Sequence, residues 1–190
     1  MLKMTSRRDS VKINTEQPKT AESIMQNVDS IGDTVKQISD DLVSKYCGEL
    51  DKEMKDISQI LIYNQNMTDN ELEFEILNLA NILYFAGSAQ EDLGIKEDVC
   101  KSIRQEVYSK ARESATGKTV ADKTAQAELV AQAETMTLSI YSRAYKKVKL
   151  RVDAGYEMLN SLKKVMNRRI SELELSNSRY INKTGGDNNE

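Results

Sequence analysis

The sequence predicts an all-α fold, a helical hairpin or bundle with a long C-terminal amphipathic helix and disordered termini, and three observations predict it. Apolar residues recur at steps of three and four along most of the chain, and no useful stretch alternates with period two. Aromatics are only 5%, with 2 Phe, no Trp, 8 Gly and 1 Pro, which is too few aromatic and turn residues for a large sandwich or barrel. Charged residues make up 30% of a chain of 190 residues, a composition and length expected of one solvated helical domain with flexible ends.

Taken in order, residues 1–18 mix small, basic and polar types around Pro18 without a period, and read as a disordered N-terminal arm. Residues 19–66 read as heptad-patterned acidic helices. Ile24, Val28, Ile31, Val35, Ile38 and Leu42 alternate steps of four and three, which makes a seam for packing on a partner helix. Gly48 is expected to break or cap this helix, after which Leu50, Met54, Ile57 and Leu61 resume the spacing. Asn64 to Asn70 reads as a connecting loop.

Residues 67–176 read as a helical core containing a basic long helix. Thr68 with Glu71 three residues on forms a capping box, so a helix starts near Asp69 and runs through Leu72, Ile76, Leu79, Ile82 and Leu83. Gly87 and Gly94 bracket a stretch the pattern leaves undefined, and Ile95, Val99, Ile103 and Val107 open a further helix to about Ala115. A turn at Thr116, Gly117 and Lys118 precedes a last helix from about Val120 to Leu175. From Asn177 the tail, residues 177–190, has nothing to bury and is expected to be disordered.

The composition also excludes chemistry. His is absent, which removes the usual general base, the usual metal ligand and every imidazole triad. Cys47 and Cys100 lie far apart without CxxC spacing and read as reduced, half-buried helix residues. Carboxylate pairs such as Glu73 and Glu75, or Asp40 and Asp41, do not converge on one helix face and read as solubilising charge. No catalytic residue, metal or cofactor is expected. Met1 to Ser10 lacks the apolar core of a signal peptide, and Ile82 to Ala86 is far too short to cross a bilayer, so the expected location is cytoplasmic, without membrane contact.

The net charge of -3 conceals segregation. Asp29 to Asp98 carries 16 acids against 5 bases, whereas Val99 to the C-terminus carries 17 bases against 11 acids. Such halves either contact one another or turn the basic half toward a polyanion. The basic residues are densest between Tyr141 and Ile170. There Tyr141, Tyr145, Val148, Val152, Tyr156 and Leu159 share one helical face, with Arg143, Lys147 and Arg151 at i, i+4 and i+8 on roughly the opposite one. Like charges four residues apart cost about 0.2–0.5 kcal/mol per pair in an isolated helix. Either a phosphate backbone or acids of a neighbouring helix would offset that cost, and the sequence leaves both open. The tyrosines fit core packing better than base stacking.

A second basic cluster, Lys110, Arg112 and Lys118, surrounds the predicted turn, with Lys101 and Arg104 two turns earlier; free amides at the turn would add to a phosphate site. The run Gly117, Lys118, Thr119 does not qualify as a P-loop. Arg112 stands where the motif needs its first glycine, and a helix rather than a strand precedes it.

The order of pieces from about Val99 to Leu173 resembles the UvsY-type recombination mediators of tailed phages. The pieces are a basic KAR at Lys110, Ala111 and Arg112, a small-residue turn with Gly117 and Lys118, and a polar Ala/Thr-rich lead-in. A long amphipathic helix follows, ending in LNSLKKVMNRRI at Leu159 to Ile170. The resemblance covers under half of the chain and its motifs are short. The acidic N-terminal half finds no counterpart in it. The resemblance implies a homo-oligomer that binds single-stranded DNA through Lys110, Arg112 and Lys118, and that helps a RecA-like recombinase displace a single-strand-binding protein. The expected function is therefore a non-enzymatic, phage-type single-stranded-DNA-binding mediator, with Lys110, Arg112, Lys118, Arg143, Lys147 and Arg151 as nucleic-acid contacts. The alternatives are a helical scaffold or adaptor acting through the Ile24–Leu42 seam, and an inhibitor of a host nucleic-acid enzyme acting through the acidic half.

Overall fold

The computed structural model describes residues 21–62 and 67–184. The expected arm at 1–18, residues 63–66, which include 64–66 of the expected loop, and the last six residues lie outside the described residues. Four helices follow one another: α1, Ala21–Ile62; α2, Asp69–Ser114; α3, Val120–Val130; and α4, Gln132–Thr184. The expected all-α architecture is the one observed. The chain divides into two compact units at Thr34 and Val35. Of the first, the described part is the opening of α1, where Met25, Val28 and Ile31 are exposed and the Thr34 hydroxyl donates to the Ser30 carbonyl at 2.9 Å.

The second unit is a bundle of α1 from Val35, α2 and α4, with α3 folded beside the end of α2. Pairings set the directions. The amide of Asn78 donates to Glu53 at 2.8 Å and the ammonium of Lys96 to the Tyr46 hydroxyl at 3.2 Å, so α1 and α2 run antiparallel. Arg169 of α4 reaches Met67 and Asp69 at the start of α2, while Arg104 near the end of α2 reaches Thr135 of α4, which makes that pair antiparallel as well. α1 and α4 are therefore parallel, as the Ser39–Ile140 and Arg151–Asp51 contacts show.

Each long helix gives one stripe to a common core: Val43, Cys47, Leu50 and Ile57 from α1; Leu72, Leu79, Leu83 and Leu93 among others from α2; Ala144, Val148, Val152, Leu159 and Leu162 from α4. A fully buried Leu or Ile contributes about 2 kcal/mol relative to an exposed one, so this shared stripe, rather than local propensity, holds the helices together. That explains why Gly48, Gly87 and Gly94 do not interrupt them. Glycine costs a helix about 1 kcal/mol, and buried neighbours such as Cys47, Leu50, Ala86 and Leu93 offset it. The expected break at Gly48 and the undefined stretch at 87–94 are thus corrected to continuous helix.

Gly155 of α4 faces Leu83 of α2 and Leu50 of α1. A Cβ there would stand 2.6 Å from Leu83 Cδ2 and 3.2 Å from Leu50 Cδ1, so any larger residue makes these two buried leucines shift.

The predicted start of α2 is observed with its full capping box. The Glu71 amide donates to the Thr68 hydroxyl at 3.3 Å and the Thr68 amide to the Glu71 carboxylate at 2.7 Å, which holds Glu71 below its ordinary pKa. The expected single helix from Val120 is instead interrupted at Ala131, whose backbone (φ −85°, ψ 12°) bends away from helical geometry between α3 and α4. Ala127 and Ala131 at this bend are both fully buried. α4 continues to Thr184, so residues 177–184 are helical rather than a disordered tail.

The α1 seam also needs correction as a single surface. Val35 is buried and Leu42 is packed against the chain's own core, whereas Val28, Ile31 and Ile38 stay exposed; the side chain of Ile24 lies outside the described residues. Cys47 is completely buried rather than half-buried, and burial pushes its thiol pKa up; Cys100 is half-buried, and both are free.

Candidate nucleic-acid interface

The α2–α3 turn is built by close backbone approach. A Cβ on Gly117 would meet Asp122 Cβ at 2.5 Å and the Lys123 amide nitrogen at 3.1 Å, so the chain can fold back here only with glycine. Thr119 then caps α3. The Asp122 amide donates to the Thr119 hydroxyl at 3.1 Å and the Thr119 amide donates to the Asp122 carboxylate at 3.2 Å. This second capping box was legible as Thr followed three residues on by an acid. The box occupies two of the amides at this turn, those of Thr119 and Asp122, and places a carboxylate beside them.

Around this turn Lys110 is exposed and bound to Glu106 one turn earlier in α2, which raises the lysine's pKa and lowers the glutamate's. Arg112, in the last turn of α2, and Lys118 are exposed and meet no anionic partner among the described residues. Lys101 pairs with Glu97 and Asp98, and Arg104 donates to the Thr135 hydroxyl at 2.8 Å.

On α4 the predicted stripe divides. Lys147 donates to Asp40, and Arg151 donates through Nε to both Asp51 oxygens at 2.8 Å, so two of its three cations pair with α1. The Lys147 hydrogen bond holds Asp40 below its ordinary pKa. Asp40 is therefore a structural partner and not merely solubilising charge. Arg143 pairs with neither acid and is exposed, and so are Lys146 and Lys149, which were not singled out among the expected contacts. None of these three has an ion-pair partner among the described residues. The predicted apolar face holds for Val148, Val152 and Leu159, which are buried, and for Tyr141 and Tyr145, which pack against the core. Tyr156 is the exception, 48% exposed.

The exposed cations without an ion-pair partner among the described residues include Arg112 and Lys118 at the turn and Arg143, Lys146, Lys149, Lys163 and Lys164 along α4, and on α1 also Lys52 and Lys55. Between α2 and α4, Gly87 and Gly94 leave an open groove of about 600 Å³ whose lining includes Glu91, Asp98 and Asp153, carboxylates that repel phosphate. Among the described residues no helix is long and apolar enough to cross a membrane, and no group of three His, Cys, Asp or Glu side chains is placed to hold a metal ion. No protein-family model, no curated protein and no solved structure matches this chain.

Proposed function

We propose that this protein is a non-enzymatic, helical single-stranded-DNA-binding accessory protein of phage type. The observation that carries the reading is the concentration, in the basic half, of exposed cations without an ion-pair partner among the described residues: Arg112 and Lys118 at the turn and Arg143, Lys146 and Lys149 on α4, with Lys163 and Lys164 further along it. Unpaired like charges on a rigid helix repel one another, and a phosphate backbone is the counterion that relieves this while releasing its own condensed cations. Lys147 and Arg151, spent on α1, drop out of the contact set, and Lys110 contributes only by exchanging Glu106 for phosphate. Loading of a RecA-like recombinase and displacement of a single-strand-binding protein rest on the resemblance of the C-terminal half alone.

The test is fluorescence anisotropy with a labelled single-stranded oligonucleotide and a duplex of the same sequence at two salt concentrations. Single-strand preference, an affinity loss of orders of magnitude between low and physiological salt, and at least about 100-fold weaker binding of an Arg143→Glu/Lys146→Glu/Lys149→Glu variant are expected. No binding at low salt rejects the reading. A second reading, a scaffold or adaptor acting through protein contacts, is favoured by the exposed Met25, Val28 and Ile31 of α1, and predicts assembly without nucleic-acid affinity.

A further inference from the structure

α2 is apolar on two sides. One side enters the core through Leu72, Leu79, Leu83 and Leu93. Nearly opposite, Phe74, Leu77, Tyr84 and Phe85 form one exposed cluster, and Ile95, Val99 and Ile103 continue it along the same helical stripe; their exposures run from 47% at Ile103 to 72% at Tyr84. From Phe74 to Ile103 the stripe is about 44 Å long. Large apolar side chains of about 150–200 Å² each, half to two-thirds exposed, present on the order of 700 Å² here. That approaches the area of about 800 Å² that each partner gives to a stable protein–protein interface.

Charge identifies the partner. From Asp69 to Asp92 α2 carries six carboxylates and no cation, whereas from Leu93 to Ser114 it carries five cations and four acids. A second α2 laid antiparallel places the acidic half of each against the cation-bearing half of the other, and it also opposes the helix dipoles. Near the centre of the stripe Ser88 and Asp92 interrupt the apolar residues. An antiparallel register that sets Leu77 against Ile103 and Phe85 against Ile95 also sets Ser88 against Asp92, so the polar gap meets a hydrogen-bonding partner. A parallel register would set Asp92 on Asp92 and acidic half on acidic half.

We infer that the exposed α2 stripe is a self-association surface that pairs two copies of this chain antiparallel through Phe74–Ile103. This places the oligomer contact on α2 and not on the Ile24–Leu42 seam, and it does not depend on nucleic-acid binding.

Sedimentation velocity of the full chain across a concentration series, without nucleic acid, tests it. The expected result is a reversible dimer that Leu77→Lys/Phe85→Lys weakens at least about 100-fold. The same substitutions should leave helical circular dichroism intact because both side chains are exposed. Should that double variant lose helicity, Leu77→Ser/Phe85→Ser carries the same test. In a Cys100→Ser background, copies bearing Leu77→Cys mixed with copies bearing Ile103→Cys should cross-link under mild oxidation, and Leu77→Cys copies alone should not. A monomer at all concentrations overturns the inference. So does an oligomer that survives the α2 substitutions but dissolves with Val28→Ser/Ile31→Ser, as does cross-linking of Leu77→Cys copies to one another.

Discussion

The two flanks of α1 treat their acids in opposite ways. Toward α4, Asp40 meets Lys147 and Asp51 meets Arg151. Toward α2, Glu53 meets another acid, Glu75, and the burial of Glu75, its hydrogen bond with Glu53 and the nearby charges of Glu53 and Asp56 push its pKa up from 4.5 to about 7. Charge segregation in the sequence leaves open whether the acidic and basic halves meet or the basic half faces a polyanion. The bundle makes one interface that favours ionised carboxylates and another that disfavours the ionised form of Glu75.

The largest expected effect comes from moving the helix that holds one flank in place. Gly155→Val inserts a branched side chain against Leu83 and Leu50. It should destabilise the bundle by about 2 kcal/mol in urea unfolding, and an unchanged midpoint would show that α4 can shift away freely.

Next is the acid–acid flank. The folded pKa of Glu75 lies above its unfolded value, so its contribution to stability is fully present below about pH 4.5 and is lost as pH rises through about 7. Glu75→Gln should stabilise the protein by about 1 kcal/mol at pH 8, after allowing for partial exposure, and should flatten the stability profile between pH 6 and 8. Urea midpoints of the two proteins at those pH values decide it.

The ion-pair flank has the opposite sign. Asp40 is held below its ordinary value of 3.8, so its contribution is present above that pH, is lost as pH falls through the lowered folded value, and is constant between pH 6 and 8. Lys147→Gln should remove that acid-side dependence in a pH-midpoint titration. The smallest effect belongs to Arg151→Gln, which should cost about 0.5 kcal/mol at low salt and less at high salt. A loss that ignores salt would mean that Arg151 acts by packing. If Lys147→Gln/Arg151→Gln weakens DNA binding as much as loss of Arg143, Lys146 and Lys149 does, the division of α4 into spent and uncommitted cations fails.

Local rules carried some elements fully. The Thr68–Glu71 box and the Gly117 turn depend on contacts within a few residues, so spacing alone marks them. The bend at Ala131 carries no proline or glycine and gave no such signal. Nor did the hold of Arg169 on Met67 and Asp69, which joins residues about one hundred positions apart. The seam from Ile24 to Leu42 was visible as a period, yet the same period continues from an exposed stretch into a packed one, because spacing records a face and not its occupant.

What the sequence by itself determined is helical class, the capped start of α2, the turn and the separation of charge, since these follow from backbone propensity, period and composition. Only the tertiary structure decided which cations are spent on Asp40 and Asp51, which acid is placed beside other acids so that its pKa rises, and which apolar stripe of α2 is left uncovered. The physical reason is that ion pairing and burial depend on distances of a few ångströms between helices far apart in the chain, and those distances are set by how the core stripes of α1, α2 and α4 pack.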